Sequence, residues 1–303
     1  MTVVVLAGGT GGAKLARGML DVVGDELVVI ANTADDVEVH GAHVSPDPDL
    51  VTFWLADAID ERGWGLRGDT FAVMDALRAL GDDVWFNLGD RDLALGLRRA
   101  RRLTEGATLT EALAEACAAY GVRAAVVPMS DAPVRTRVRA AGRWWPFQEF
   151  MIRHGGRGPV QDVTLDGIAQ AAPAPAALEA IARARAIVVG PSNPVISIGP
   201  ILAVPGMRAA LRAAGAPVVA VSPIVGGGVV KGPTAPFLAW AGHEPTAAGI
   251  AAAYEGVVDG LVHDEPETTV PVPVLRTETF MGDAMARRRL AADTLSIAEG
   301  LAA

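Results

Sequence analysis

The stretch Val3-Val-Val-Leu-Ala-Gly-Gly-Thr-Gly-Gly-Ala-Lys14 decides the fold. A short β-branched run passes directly into four glycines, and a helical pattern over residues 12–22 follows. A strand that is apolar throughout is buried on both faces, as in a parallel sheet. Glycines at a strand–helix junction let the chain turn sharply and bring backbone amides to an anion, where the helix N-terminus adds partial positive charge. The residues therefore read as the first βα unit of a phosphate-binding α/β fold.

Outward from that unit, short apolar runs recur at residues 27–31, 84–88, 124–127, 187–189 and 217–221. Helical patterns lie between them at 70–80, 108–120, 176–184 and 207–214. Asp69-Thr70 reads as a helix start, and Thr108-Leu-Thr-Glu111 has capping-box spacing. This alternation implies right-handed βαβ units and an α/β, Rossmann-like, doubly wound, mostly parallel sheet. One interval breaks the rhythm. Alternating residues 134–139 and 143–150 around Ala140-Ala-Gly142 read as a β-hairpin, so residues 1–303 form a single α/β domain with a hairpin-containing insertion at about 131–175.

The 303 residues carry a net charge of −9, which argues against general nucleic-acid binding. No apolar run reaches the length of a membrane span, and Met1 leads straight into the first strand without a basic leader, so a cytoplasmic location is expected. Cys117 is the only cysteine, which excludes an internal disulfide and a thiolate metal cluster, and its helical surroundings place it in the core.

The glycine loop matches neither familiar nucleotide motif in detail. It ends Gly12-Ala-Lys14-Leu15 where a Walker A loop needs Gly-Lys-Ser/Thr, and Asn32 stands where a nicotinamide fold places its ribose-binding acid. Acids instead gather in loops after apolar runs: Asn32-Thr-Ala-Asp-Asp36, Ser45-Pro-Asp-Pro-Asp49 and Asn87-Leu-Gly-Asp-Arg-Asp92. Ligands of a doubly wound sheet bind at the carboxyl ends of the strands. Carboxylates gathered there suit Mg²⁺, which takes one or two of them together with substrate phosphates. Asp47 and Asp92 read individually as helix caps or turn residues, and Asp49 as an N-cap of a helix over residues 50–60 unless it serves the metal or an attacking hydroxyl. Arg91 offers a planar fork to a phosphate or carboxylate. His40 and His43 lack the further ligands that zinc requires. Gly190-Pro-Ser-Asn-Pro194 and Val221-Ser-Pro-Ile224 put small hydroxyls and amides at two more strand ends, with Lys231-Gly-Pro233 behind them, and Trp144 and Trp145 lie in the hairpin. No serine–histidine–acid spacing, nucleophile elbow or reactive cysteine is present, which points to direct transfer between two bound substrates.

Together with Pro128-Met-Ser-Asp131 and Ser197-Ile-Gly-Pro200, these segments occur in an order that resembles the 2-phospho-L-lactate transferase family of coenzyme F-420 biosynthesis, including its phosphoenolpyruvate transferases. The resemblance covers nearly the whole chain. It implies a Rossmann-like homodimer that uses Mg²⁺. The implied donor is a guanosine diphosphate ester of lactate, enolpyruvate or a related three-carbon acid, the acceptor is the hydroxyl of the deazaflavin Fo, and GMP is released. By the same resemblance Asp49 and Arg91 contact the deazaflavin and serve catalysis. Asp35, Asp36 and Asp49 lie at the metal. Gly8, Gly9, Thr10, Gly11, Gly12, Lys14, Asn32, Ser192 and Asn193 form the nucleotide and phosphate side. The rival reading is a non-enzymatic nucleotide-sugar-binding regulator of the related gluconeogenesis-factor class. Such proteins continue after the acidic pair with a glycine- and serine-rich stretch, whereas this chain has Val37-Glu-Val-His-Gly41 and an intact Gly89-Asp-Arg-Asp92.

Overall fold

A computed structural model describes residues 1–230, 232–266 and 269–302. Its central sheet, among the described residues, has seven strands, and all their pairings are parallel. They are β1 (Thr2–Ala7), β2 (Leu27–Ala31), β3 (Ala125–Pro128), β4 (Ala184–Val189), β5 (Val218–Val221), β6 (Gly260–His263) and β7 (Val274–Arg276). Their spatial order is β7-β6-β5-β4-β1-β2-β3. The chain therefore starts in the middle, builds outward to β3, and returns across β1 to build the other half. That return is the topological switch point at which such sheets bind ligands.

Period-two alternation divides the strand residues between two cores. Val3, Val5, Ala7, Val29, Ala31 and Val188 pack beneath helix α1 (Gly9–Val23), α2 (Pro46–Leu55) and the C-terminal helix Ala284–Ala302. Val4, Leu6, Ile30, Ile187 and Val189 pack against Pro175–Ala182, Ile198–Ala203, Met207–Ala213 and Ala247–Ala253. Cys117 is buried in the first of these cores.

The apolar run at 84–88 is not a strand. Trp85, Phe86 and Leu88 instead form a separate small core with α3 (Ala72–Ala79), α4 (Asp90–Thr104) and the antiparallel pair Val37–Val39 and Ala42–Val44. The interval at 131–175 contains the expected hairpin as Arg135–Ala140 and Arg143–Pro146. It also holds a third antiparallel strand, Val160–Asp166, and a short helix, Phe147–Ile152. Trp145 packs within this unit, stacked on His154 with Arg143 above it. The capping box is present, with Thr108 N–H donating to Glu111 and Glu111 N–H to Thr108 Oγ1. No helix among the described residues is long and apolar enough to cross a membrane.

Candidate active site at the switch point

A cavity of about 390 Å³ opens at the carboxyl end of the sheet where β1 meets β4. Its floor is the glycine loop and the 191–197 segment. Its walls come from the 131–175 interval (Phe147, Gln148, Met151), from the segment after β5 (Pro223, Val225, Val230), and from Thr279, Phe280 and Met281.

The glycine loop is shaped by two separate demands. Gly9 needs a left-handed backbone, with φ of 64°. Gly11 needs the absence of a side chain, because a Cβ there would stand 2.0 Å from the Pro191 carbonyl oxygen. Ser192 completes the seam by donating its hydroxyl to the Gly8 carbonyl at 2.5 Å. Glycines 11 and 12 thus let the two loops of the switch point touch, in addition to clearing space for a ligand. The first amide of α1, that of Gly9, donates to Asp47 Oδ1 at 2.6 Å. The amides of Thr10 and Gly11 have no intrahelical acceptor at this end of the helix, and both residues line the cavity. They are a ready anion site at the positive end of a 15-residue helix.

Asp47 is the residue that sequence reasoning undervalued. It belongs to the first turn of α2, behind Ser45 and Pro46, and reaches across to cap α1 instead of its own helix. Asn32 holds its other oxygen at 2.9 Å while accepting the Ala34 amide at 3.0 Å. The pattern Ser-Pro-Asp-Pro was the available signal, because Pro46 and Pro48 carry no amide hydrogen and so leave the first turn with fewer local donors for the Asp47 carboxylate. Burial pushes the Asp47 carboxyl up to about 6 against the pull of Gly9 and Asn32. Asp35 lines the same cavity and is held well above the usual carboxylate range, first by burial and then by the charge of Asp47.

Of the residues the sequence put forward, Gly8, Gly9, Thr10, Gly11, Lys14, Asp35, Ser192 and Asn193 line this cavity. Gly12 and Asn32 lie buried directly beneath it. The Lys14 ammonium donates to the Met281 carbonyl at 3.3 Å and lies 5.7 Å above the Trp54 ring, so it ties the rim to α1. Lys231 falls outside the described residues.

Asp36 and Asp49 are not brought into the cavity. Asp36 accepts from Ser45 Oγ at 2.6 Å and pairs with His43 Nε2 at 3.0 Å. The expectation that Asp49 is an N-cap is corrected: Ser45 is the N-cap residue and Asp49 lies inside α2. Its carboxylate is held by both terminal nitrogens of Arg99, which is itself 2% exposed. Nor is Asp92 a cap. Asp69 accepts the amides of Arg91 and Asp92 at 3.0 and 3.2 Å, while Asp90 returns the favour to Ala72 and Val73, each at 3.0 Å. The two neighbouring helices are thus capped by each other's flanking residues. Arg91 lies outside the cavity, with its guanidinium on the Arg67 carbonyl at 3.2 Å.

Among the described residues no group of three or more His, Cys, Asp or Glu side chains is arranged to hold a metal ion. The Asp35–Asp47 pair nevertheless has the donor chemistry for Mg²⁺, which is content with two carboxylates when water and phosphate oxygens complete its shell. Both carboxylates are desolvated and the charge of Asp47 raises Asp35 further, a strain that a cation beside them would relieve.

The comparisons with known proteins agree with this architecture. The family model described as 2-phospho-L-lactate transferase CofD matches residues 3–287. The chain is 37% identical over 294 residues to the 2-phospho-L-lactate transferase of Methanosarcina mazei, covering 96% of this chain and 94% of that one. It is 41% identical over 312 aligned positions to the phosphoenolpyruvate transferase of Kitasatospora aureofaciens, covering 96% and 97%. Among solved structures, a UPF0052 family member from Bacillus halodurans superposes with a TM-score of 0.62 at 17% identity over 97% of this chain and 98% of that one, a likeness of fold alone. With a doubly wound sheet, a phosphate-ready helix end and matches along nearly its whole length, the chain belongs to the 2-phospho-L-lactate transferase (CofD) family.

Proposed function

We propose that this chain transfers a phosphorylated three-carbon acid from a guanosine diphosphate ester to the hydroxyl of the deazaflavin Fo, releasing GMP, in coenzyme F-420 biosynthesis. The acid is phosphoenolpyruvyl, phospholactyl or a close relative, and the chain works as a cytoplasmic homodimer. The observation that carries the reading is the Asp47–Gly9 contact. It fixes a carboxylate beside unpaired helix amides, the combination that a metal-bound diphosphate requires.

Phosphoryl transfer depends on positioning and charge stabilisation more than on a covalent group from the protein. The amides of Thr10 and Gly11 orient the diphosphate, and Asp35 and Asp47 would hold Mg²⁺ against it. When bound, the cation offsets charge on the bridging and terminal phosphate oxygens. The acceptor oxygen bonds to the phosphorus that carries the acid, and the bond from that phosphorus to the oxygen of GMP breaks. The hydroxyl proton is released to water at the open mouth of the cavity, because Asp35 and Asp47 would be engaged with the cation. Among the described residues no cysteine or histidine lines the cavity.

A binding panel tests the reading. Fo and GDP with Mg²⁺ should each bind at micromolar concentration, and a nucleotide sugar or NADH should not. Binding of a nucleotide sugar without Fo would favour the regulatory class instead.

A further inference from the structure

The open side of the cavity is bounded by two thin segments. One is the hairpin Ile224–Val225 and Gly228–Val229, whose tip residues Gly226 and Gly227 have φ of 56° and 77°. Pro223, Val225 and Val230 of this segment face the cavity, and Val230 is 59% exposed. The other is Thr279–Phe280–Met281, with Phe280 49% exposed. A two-stranded ribbon this short has little stability of its own. It needs an external anchor to present a defined apolar wall.

Asp264, immediately after β6, is that anchor. The Gly226 amide donates to its Oδ1 at 3.0 Å, and the Thr279 hydroxyl donates to its Oδ2 at 2.7 Å. One carboxylate therefore holds both walls, while Asp264 itself does not line the cavity. We propose that Asp264 is a positioning residue that clasps the 223–230 hairpin to the 279–281 rim and so sets the affinity for the part of the donor lying beyond its phosphates. The ligand's identity rests on the proposed function; the clasp does not. Because Asp264 does not line the cavity, whereas Thr10, Gly11, Asp35 and Asp47 do, its effect falls on binding and leaves bond making alone.

The test compares wild type with Asp264→Ala, Asp264→Asn and Thr279→Val. Amide hydrogen exchange over residues 224–229 is measured without ligand, alongside steady-state kinetics with the donor. Loss of hydrogen bonds to a charged acceptor predicts that Asp264→Ala raises both exchange and donor KM about tenfold. A group that acts through binding alone leaves kcat within about threefold. Asp264→Asn should restore wild-type behaviour, since its carboxamide accepts from Gly226 and meets the Thr279 hydroxyl. Thr279→Val cuts one arm only and should shift exchange and KM in the same direction at wild-type Tm, which keeps the test alive if Asp264→Ala folds poorly. Wild-type exchange in both Asp264→Ala and Thr279→Val, or a loss confined to kcat, overturns the clasp. Absence of turnover in wild type would count against the proposed function, while the exchange data would still decide the clasp.

Discussion

Asp47 accepts the Gly9 amide at 2.6 Å, so the acidic loop that opens one helix closes the N-terminus of another. The contact joins the glycine loop to the carboxylates in a single unit. Replacing Asp47 with alanine removes a cap worth about 1 kcal/mol, so Tm should fall by only a few degrees. Wild type should show a Mg²⁺-induced rise in Tm that vanishes in the variant. Differential scanning fluorimetry with and without Mg²⁺ checks both effects, and an undiminished Mg²⁺ shift would remove Asp47 from the cation site.

Asp49 and Arg99 form a buried pair between α2 and α4. Burial pushes the Asp49 carboxyl up, and Arg99 offsets that cost. An isosteric Asp49→Asn leaves Arg99 buried without its counter-charge, and Arg99→Leu strands the carboxylate. Each should cost about 3 kcal/mol or more, whereas the double Asp49→Asn/Arg99→Leu variant should lose much less than the sum. Urea melts of the three proteins measure this; additive losses would show that the charges do not interact.

His43 gives the fold a pH dependence. Burial opposes its charge, but hydrogen bonds to Asp36 and Glu38 outweigh burial and raise it to about 9. A raised folded value means that the stabilisation is complete below the unfolded value of about 6.5 and is lost as pH climbs through about 9. Wild type should therefore lose stability across that window relative to His43→Gln. Parallel unfolding curves at pH 6.5 and 9 for the two proteins would contradict the assignment.

Gly11 and Gly24 separate contact from backbone strain. A Cβ at Gly11 meets the Pro191 carbonyl, whereas one at Gly24 meets nothing within 4 Å and only suffers a φ of 57°. Gly11→Ala should displace the 190–194 loop and weaken GDP binding at least about tenfold, a loss of roughly 1.4 kcal/mol. Gly24→Ala should cost about 2 kcal/mol of stability, because φ of 57° with ψ of −133° is a backbone region essentially reserved for glycine, and should leave GDP affinity unchanged. Calorimetric titration of both variants settles the contrast; equal affinities would deny the loop seam a role.

The fold was legible wherever a strand is buried on both faces. Residues 3–7, 27–31, 187–189 and 217–221 are continuous apolar runs because helices cover the sheet on each side. The same signal misled at 84–88, where Trp85 and Phe86 serve a satellite core under a loop and not a ladder. The strands Gly260–His263 and Val274–Arg276 were missed, the first short and the second at the sheet edge with little burial. Within the site, the glycine loop and Ser192 were readable because their chemistry is local. The choice among the acids was not. Asp47, Asp49 and Asp92 are close in sequence or spacing, and only tertiary contacts send the first to Gly9, the second to Arg99, and leave the third half-buried and pushed up to about 7 by burial and the nearby Asp49 and Asp69.

The most direct measurement of the central claim is product analysis by mass spectrometry. Purified protein is incubated with Fo and with guanosine diphosphate esters of lactate, enolpyruvate and glycerate offered in competition, with and without Mg²⁺. The expected result is GMP and an Fo-linked phosphodiester of one of the acids in equal amounts, formed only when Mg²⁺, donor and Fo are all present. Undiminished product in excess chelator, or no Fo adduct from any donor, would contradict it.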